Sequence, residues 1–340
     1  MKKTGLFLWL ACICPSMLLQ AADFRFNADG TFKIMQVTDT HIIYDPDGQG
    51  LANSQTTVDM LRRTLDAERP DLVIFTGDIV TGKSYRPGFE LVVEPVVTRR
   101  IPWVALFGNH DAEQDLSYAE MAALIRSQPF HAGRMEKIAN VSGYGNFVLE
   151  IKNRDGKKTG ALLYCLDSHQ YSTMKPAVDG FGWFAFDQVA WYRKQSEQHT
   201  AANRGTPLPA LAFFHIPLPE YRAVYTEPGH RMEGTQLEAV CSPEINTGMF
   251  AAMLEKGDVM GTFVGHDHVN DYLFNYCGIA LAYGRFSGSR NTYGDLQSGV
   301  RMIELTEGRQ SFETWIRLDE EIVINRLTFP NDLPRDPARP

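Results

Sequence analysis

IPWVALFGNHD, residues 101–111, passes from an apolar stretch into glycine, an amide, an imidazole and a carboxylate without a break. Ile101 to Phe107 reads as a buried strand. Polar groups at the end of a buried strand are costly unless something satisfies them. Asn109, His110 and Asp111 therefore read in one of two ways. They form a turn, since Gly and Asn tolerate unusual backbone angles, or they are ligands and catalytic groups. The other strand ends decide between the two.

The same ending recurs. FKIMQV (32–37) ends in Thr38-Asp39-Thr40-His41, and LVIF (72–75) in Thr76-Gly77-Asp78. ALAFF (210–214) ends in His215, and VMGTFV (259–264) in Gly265-His266-Asp267-His268. Helical patterns separate the first three strands. One places Val58, Leu61 and Leu65 on one face and stops before Pro70; the other runs from about Gly88 to Arg99. Strand, helix, strand, helix, strand is the order in which ligand sites form outside the carboxyl ends of strands. One strand-end Asp is usually a turn or a cap, and one His is usually a satisfied core residue. Five such endings at the same end of five strands share no such explanation. Carboxylate oxygen and imidazole nitrogen suit zinc, manganese or iron, and the set is large enough for two ions.

The rest of the chain reads more simply. Tyr118 to Ile125 and Asp187 to Gln198 are helical, and Asn146 to Ile151 with Ala161 to Leu166 form a hairpin. Glu220 to Asn246 is long and irregular, and loops of that length are often functional. Its Tyr221, Tyr225, His230 and Arg231 are expected over the site. A short helix from Thr247 to Glu255 stops at Gly257. Strands follow near 271–276, 279–283, 300–305 and 311–317. The tail from residue 329 carries four prolines and is expected to be extended. No interior linker divides the chain, so one domain is expected over 23–328.

Composition is that of a globular protein: 340 residues, 44% hydrophobic and 22% charged, with net charge −8. There is no basic excess or stripe, so a nucleic-acid partner is not expected. Residues 1–22 place Lys2 and Lys3 before an apolar run, Leu6 to Leu19, and then Ala21 and Ala22. That is the order of a secretory signal peptide, and the run is too short for a membrane span of ~20 residues. The protein is expected to be secreted or periplasmic, with lipid attachment at Cys12 the lesser alternative. Removing residues 1–22 takes away two lysines and no acids, which carries the charge from −8 to −10. Of the remaining cysteines, Cys241 and Cys277 form the better candidate disulfide, with three free thiols the alternative. Their spacing makes no zinc site.

The ordered set DTH (39–41), GD (77–78), GNHD (108–111), a strand-final His215 and GHDH (265–268) resembles the calcineurin-like metallophosphoesterase family. Leu166-Asp167-Ser168, FFHIPLPEY (213–221), GHDHVND (265–271) and Tyr283-Gly284-Arg285 are similar to its purple-acid-phosphatase-related branch. The resemblance implies an α/β (α+β) fold, a four-layer αββα sandwich of two mixed sheets flanked by helices. It implies a dinuclear site at strand C-terminal ends. By motif, the first ion would take Asp39, His41, Asp78 and His268. The second would take Asp78, Asn109, His215 and His266, with Asp78 bridging. His110 would lie beside the leaving group as general acid. Coloured purple acid phosphatases carry a tyrosine after GD and no histidine in the first motif; here Ile79 follows Asp78 and His41 is present. A tyrosinate-bound ferric centre is therefore not expected.

The chemistry so implied is phosphoester hydrolysis. Two divalent cations offset by Asp39, Asp78 and a bridging hydroxide leave a net positive charge toward an anionic substrate. Ions roughly 3.5–4 Å apart suit in-line displacement. His110 would protonate the departing alkoxide, with Asp111 or another carboxylate holding its tautomer. His169 and Arg285 follow strand-like runs and are expected to bind substrate. A phosphomonoesterase is the leading expectation, a phosphodiesterase on nucleotides or lipid head groups the alternative. A non-catalytic metal-binding protein of the same fold is the alternative of a different class.

Overall fold

The computed structural model describes residues 23–45, 48–227, 229–319 and 322–333. The expected signal peptide at 1–22 and the last seven residues of the expected tail lie outside them. The first sheet orders β13 (Val323–Phe329), β12 (Phe312–Leu318), β11 (Gly299–Thr306), β1 (Thr31–Val37), β2 (Leu72–Thr76) and β3 (Trp103–Leu106). β1, β2 and β3 are parallel, and β11 to β13 join antiparallel. The second orders β4 (Phe147–Lys152), β5 (Thr159–Cys165), β6 (Ala210–Phe213), β8 (Val259–Val264), β10 (Ile279–Tyr283), β9 (Leu273–Tyr276) and β7 (Met232–Glu233). Its middle strands are parallel and its edges antiparallel.

Alternation along the strands divides the interior. Side chains one residue apart on a strand face opposite sides of the sheet. Leu163, Cys165, Leu211, Phe213, Phe263, Ala280 and Ala282 join one core with the first sheet. Their neighbours Leu162, Tyr164, Leu166, Ala212, Phe214, Val264 and Leu281 join another. Both faces of these strands are covered, which is why each reads as a continuous apolar run. The first core takes in α1 (Gln49–Glu68), α2 (Tyr85–Thr98) and α3 (Tyr118–Ser127). The second takes in α4 (Phe186–Ala202) and α6 (Met249–Lys256). The result is the expected sandwich of two mixed sheets between helices. Among the described residues no helix is long and apolar enough to cross a membrane.

Phe263 joins the two sheets. Its ring stacks on Phe213 at 5.3 Å and meets Phe312 of the first sheet at 5.5 Å. Phe263→Ala leaves a cavity that neither sheet can collapse into, at an expected cost of about 3–5 kcal/mol. Chemical denaturation measures it; a loss below 1 kcal/mol would contradict this packing.

Three elements differ from expectation. β13 carries Asn325 and Arg326 on an edge and buries only Leu327 and Phe329, too little alternation to read as a strand. The chain beyond it is not simply extended: Leu333 is buried and its carbonyl accepts from Asn275 Nδ2. The long stretch after residue 219 does not lay Tyr221 over the site. The Tyr221 ring is fully buried, with its hydroxyl among Thr262 and the Ala282 carbonyl. Cys241 and Cys277 are free thiols, so the expected disulfide is absent.

Candidate metal centre

Every ligand candidate sits just past the carboxyl end of a parallel strand. β1 delivers Asp39 and His41, β2 Asp78, and β3 Asn109 and His110. β6 delivers His215, and β8 His266 and His268. β1, β2 and β3 are neighbours in one sheet, and β6 and β8 in the other. Face-to-face packing then brings residues 39 and 268 into one cluster.

The turns are sharp. Asp39 (φ 51°), His41 (φ 43°), Asp78 (φ 50°) and His266 (φ 80°) all occupy the left-handed region. Non-glycine residues there cost about 1–3 kcal/mol each and concentrate at functional sites. Glycine precedes Asn109 because the Asp78 carboxylate and backbone nitrogen occupy the space of a Cβ at Gly108. Gly265 is likewise pressed against Thr38 and Asp39.

Two groups result: Asp39, His41, Asp78 and His268, and Asp78, His215 and His266. Asp78 belongs to both. Within each, the potential ligand atoms lie within 4.8 Å of one another, and every residue is buried. Asn109 Oδ1 stands 3.2 Å from His215 Nε2, while its Nδ2 donates to the Tyr171 hydroxyl. That network aims the amide oxygen at the second group.

The cluster fits cations. Nε2 of His266 is buried with no hydrogen-bond partner among the described residues. A buried imidazole nitrogen left that way is costly, and a cation would satisfy it. His41 and His268 face each other Nε2 to Nε2 at 3.1 Å, so one must donate to the other. Burial pushes His41 down to about 4. Burial opposes protonation of His268 too, but its contact with Asp39 raises it. Burial would raise Asp39, yet the His268 hydrogen bond and the charges of His215 and His268 bring it to about 2. Asp78 also lies well below the usual carboxylate range: burial works against this, and His215 outweighs it.

His215 has Nδ1 2.8 Å from the Thr76 carbonyl, which makes Nδ1 the donor. Its Nε2 faces Asp78 Oδ2 and Asn109 Oδ1, each at 3.2 Å and each an acceptor. Burial alone would lower this imidazole, but the Asp78 charge and hydrogen bond raise it to about 10. Raised means that without a cation the proton stays on His215 from below neutrality up to about pH 10. A cation arriving at Nε2 must expel it. Metal loading at pH 8 is therefore expected to release protons and to tighten as pH rises. Titration calorimetry in buffers of differing ionisation enthalpy reads this out, and a buffer-independent heat would refute it.

The carboxylate beside His110 is not Asp111. Asp111 is fully buried and accepts from the backbone nitrogens of Ile79, Val80 and Gly108, so it braces the turns behind the cluster. Burial and the Asp78 charge push it up to about 7. His110 instead places Nδ1 2.8 Å from Glu113 Oε2. Glu113 closes the 3-10 turn that starts at Asp111, three residues past the histidine. The His-x-x-Glu spacing of residues 110–113 is the sequence signal for this pair. The other Glu113 oxygen takes the Tyr171 hydroxyl at 2.6 Å. Tyr171 has no sequence signal, because it lies in an irregular segment 62 residues from Asn109.

Other supports also come from loops. Thr292 Oγ1 lies 2.8 Å from His268 Nδ1, and the Tyr293 ring stacks on His268 at 4.2 Å. Phe181 meets His266 edge-on at 4.3 Å. Of the two expected substrate groups, His169 bonds through Nε2 to Gln188 and lines an adjoining cavity. Arg285 is buried with Nη1 3.2 Å from Asp271 Oδ2, beside the Arg301 that holds the Asp271 carbonyl. A buried guanidinium is stabilised by such a carboxylate, and Nε and Nη1 of Arg285 have no hydrogen-bond partner among the described residues.

Two ligand groups sharing one aspartate, at the common end of two packed sheets, define a dimetal phosphatase fold. The chain belongs to the calcineurin-like phosphoesterase family, whose model matches residues 32–270. It is 31% identical to "Probable inactive purple acid phosphatase 29" of Arabidopsis thaliana, covering 93% of this chain and 90% of that one. It is 30% identical to "Phosphatase DCR2" of Saccharomyces cerevisiae, covering 86% of this chain and 54% of that one. Among solved structures, a dimetal phosphatase from Danio rerio superposes with TM-score 0.59 at 12% identity, covering 87% of this chain and 99% of that one. The last likeness speaks for the fold alone.

Proposed function

We propose that this protein is a metal-dependent phosphomonoesterase acting outside the cytoplasm. The reading rests on one observation: two ligand groups share Asp78, and His110 stands beside them with Nδ1 held by Glu113. Two divalent cations, when bound, supply Lewis-acid charge to phosphoryl oxygens and acidify a water nucleophile. Iron, manganese and zinc all suit this oxygen and nitrogen donor set.

The chain's own residues do the rest. Asp39 and Asp78 supply two negative charges, so a pair of divalent ions keeps an excess of positive charge toward a phosphate. Asp78 Oδ1 accepts from the His110 backbone nitrogen at 2.8 Å, which locks the histidine to the ligand that the two groups share. Glu113 takes the Nδ1 proton, so Nε2 exchanges a proton with the leaving oxygen. The leader at residues 1–22 supports an extracytoplasmic setting.

Parallel assays of the metal-loaded protein on p-nitrophenyl phosphate and bis-p-nitrophenyl phosphate test the reading. Monoester turnover is expected to dominate; a clear diester preference would replace it with the phosphodiesterase reading. The Arabidopsis relative bears the word inactive in its name. A metal-loaded preparation that turns over no phosphoester would move this chain to the non-catalytic alternative.

A further inference from the structure

We propose that the cavity walled by Tyr171, whose hydroxyl reaches the carboxylate that holds His110, is a leaving-group subsite for an uncharged planar aromatic alcohol. The inference rests on the phosphomonoesterase reading and narrows its substrate class.

The cavity measures about 440 Å³, within the roughly 300–1,000 Å³ of sites that hold small organic ligands. Tyr118, Tyr144, Tyr171 and Trp183 supply aromatic walls, and Asp167 and His169 the polar ones. The Tyr118 and Tyr144 rings lie nearly parallel, 10° apart with centroids at 5.9 Å. A flat ligand finds flat surfaces there, and offset stacking on them is favourable.

Its position sets the role. The Tyr171 hydroxyl donates to Glu113, which holds His110, and accepts from Asn109. One wall of the cavity is therefore one hydrogen bond from the carboxylate that holds His110 and one from the amide aimed at the second ligand group. A phosphate seated at the ligand groups with its ester oxygen toward His110 directs its organic part to this side.

Charge narrows the class. Among the described residues no lysine or arginine lines the cavity, while Asp167 does. A leaving group carrying further phosphate would meet that carboxylate inside the cavity, whereas Lys137 and Lys175 lie over the Tyr144 and Tyr171 rings and are not among the lining residues. Asp167 already accepts from the backbone nitrogens of Tyr144 and His169, yet a carboxylate can accept more. It can take an N–H or O–H from a polar aromatic ring. A nucleoside and a phenolic side chain both meet this description.

The test compares the metal-loaded parent with Trp183→Ala and Tyr144→Ala, neither of which touches the ligand groups or His110. Substrates are a nucleoside 5′-monophosphate, phosphotyrosine and glycerol 3-phosphate. Leaving-group acidity differs among them, so the variant-to-parent ratio for each substrate is the readout. kcat/KM is expected to fall about tenfold or more for at least one aromatic ester, while glycerol 3-phosphate changes less than about twofold. The aromatic substrate that responds identifies the source. Equal losses on all three would overturn the subsite. Equilibrium binding of adenosine, N-acetyltyrosinamide and glycerol reads the pocket without catalysis. A parent that hydrolyses nothing yet binds an aromatic alcohol, with weakening in the variants, sinks the phosphatase reading and keeps the pocket. A parent that binds neither aromatic alcohol, with no selective loss in turnover, overturns the pocket alone.

Discussion

Asp78→Ala is expected to strip both ligand groups of their ions and to abolish turnover. Asp78 is the one residue common to both, with Oδ2 3.2 Å from His215 Nε2 and 3.7 Å from His41 Nε2. Its other oxygen anchors the His110 backbone. The substitution removes a negative charge that both groups would use to hold cations and loosens the turn that carries His110. Charge stabilisation by the cations is worth several kcal/mol, so activity should fall by about 10³-fold or more. Asp78→Asn controls for folding, because an amide fills the same volume and can still accept from His110. It too should lose metal, since it carries no charge to share. Elemental analysis after dialysis decides: two ions retained per chain in either variant would refute the bridging role.

His110→Ala should separate chemistry from metal binding. The side chain bonds to Glu113 and to no member of the two ligand groups, so metal content should match the parent. Protonation of a leaving alkoxide typically contributes about 10²–10⁴-fold. That loss should appear in full for glycerol 3-phosphate. It should be much smaller for p-nitrophenyl phosphate, whose leaving group departs without a proton. Equal losses on both esters would show that His110 positions substrate instead. Glu113→Gln should give the same pattern in weaker form, because an amide still holds Nδ1 but stabilises the imidazolium less.

Much of this molecule was legible before folding. Apolar runs ending in Asp39, Asp78, Asn109, His215 and His266 marked the strands and the end at which the site lies, while their parallel pairing came from the structure. The covered middle strands were readable because burial on both faces leaves them wholly apolar. What escaped detection had polar or irregular local sequence. β13 shows little alternation because it is an edge. Tyr221 looked like part of a cover, yet its hydroxyl finds partners only between β8 and β10. The Asp271 partner of Arg285 lies 14 residues upstream on the far side of two strands, which residue type alone does not reveal.

The sequence by itself determined the ligand types and their order along the chain. Local chemistry dictates which groups can bind a cation, and strand periodicity dictates where the chain must turn. Only tertiary structure decided which carboxylate serves His110 and which braces the turns behind it. Asp111 is adjacent in sequence but is drawn inward by three backbone N–H groups, whereas Glu113 swings back across one 3-10 turn. Only tertiary structure brought Tyr171 to both Asn109 and Glu113, and so linked an aromatic cavity to the carboxylate that holds His110. The physical reason is the same in both cases. A buried polar group takes whichever partner the packed chain presents, and sequence distance does not say which that will be.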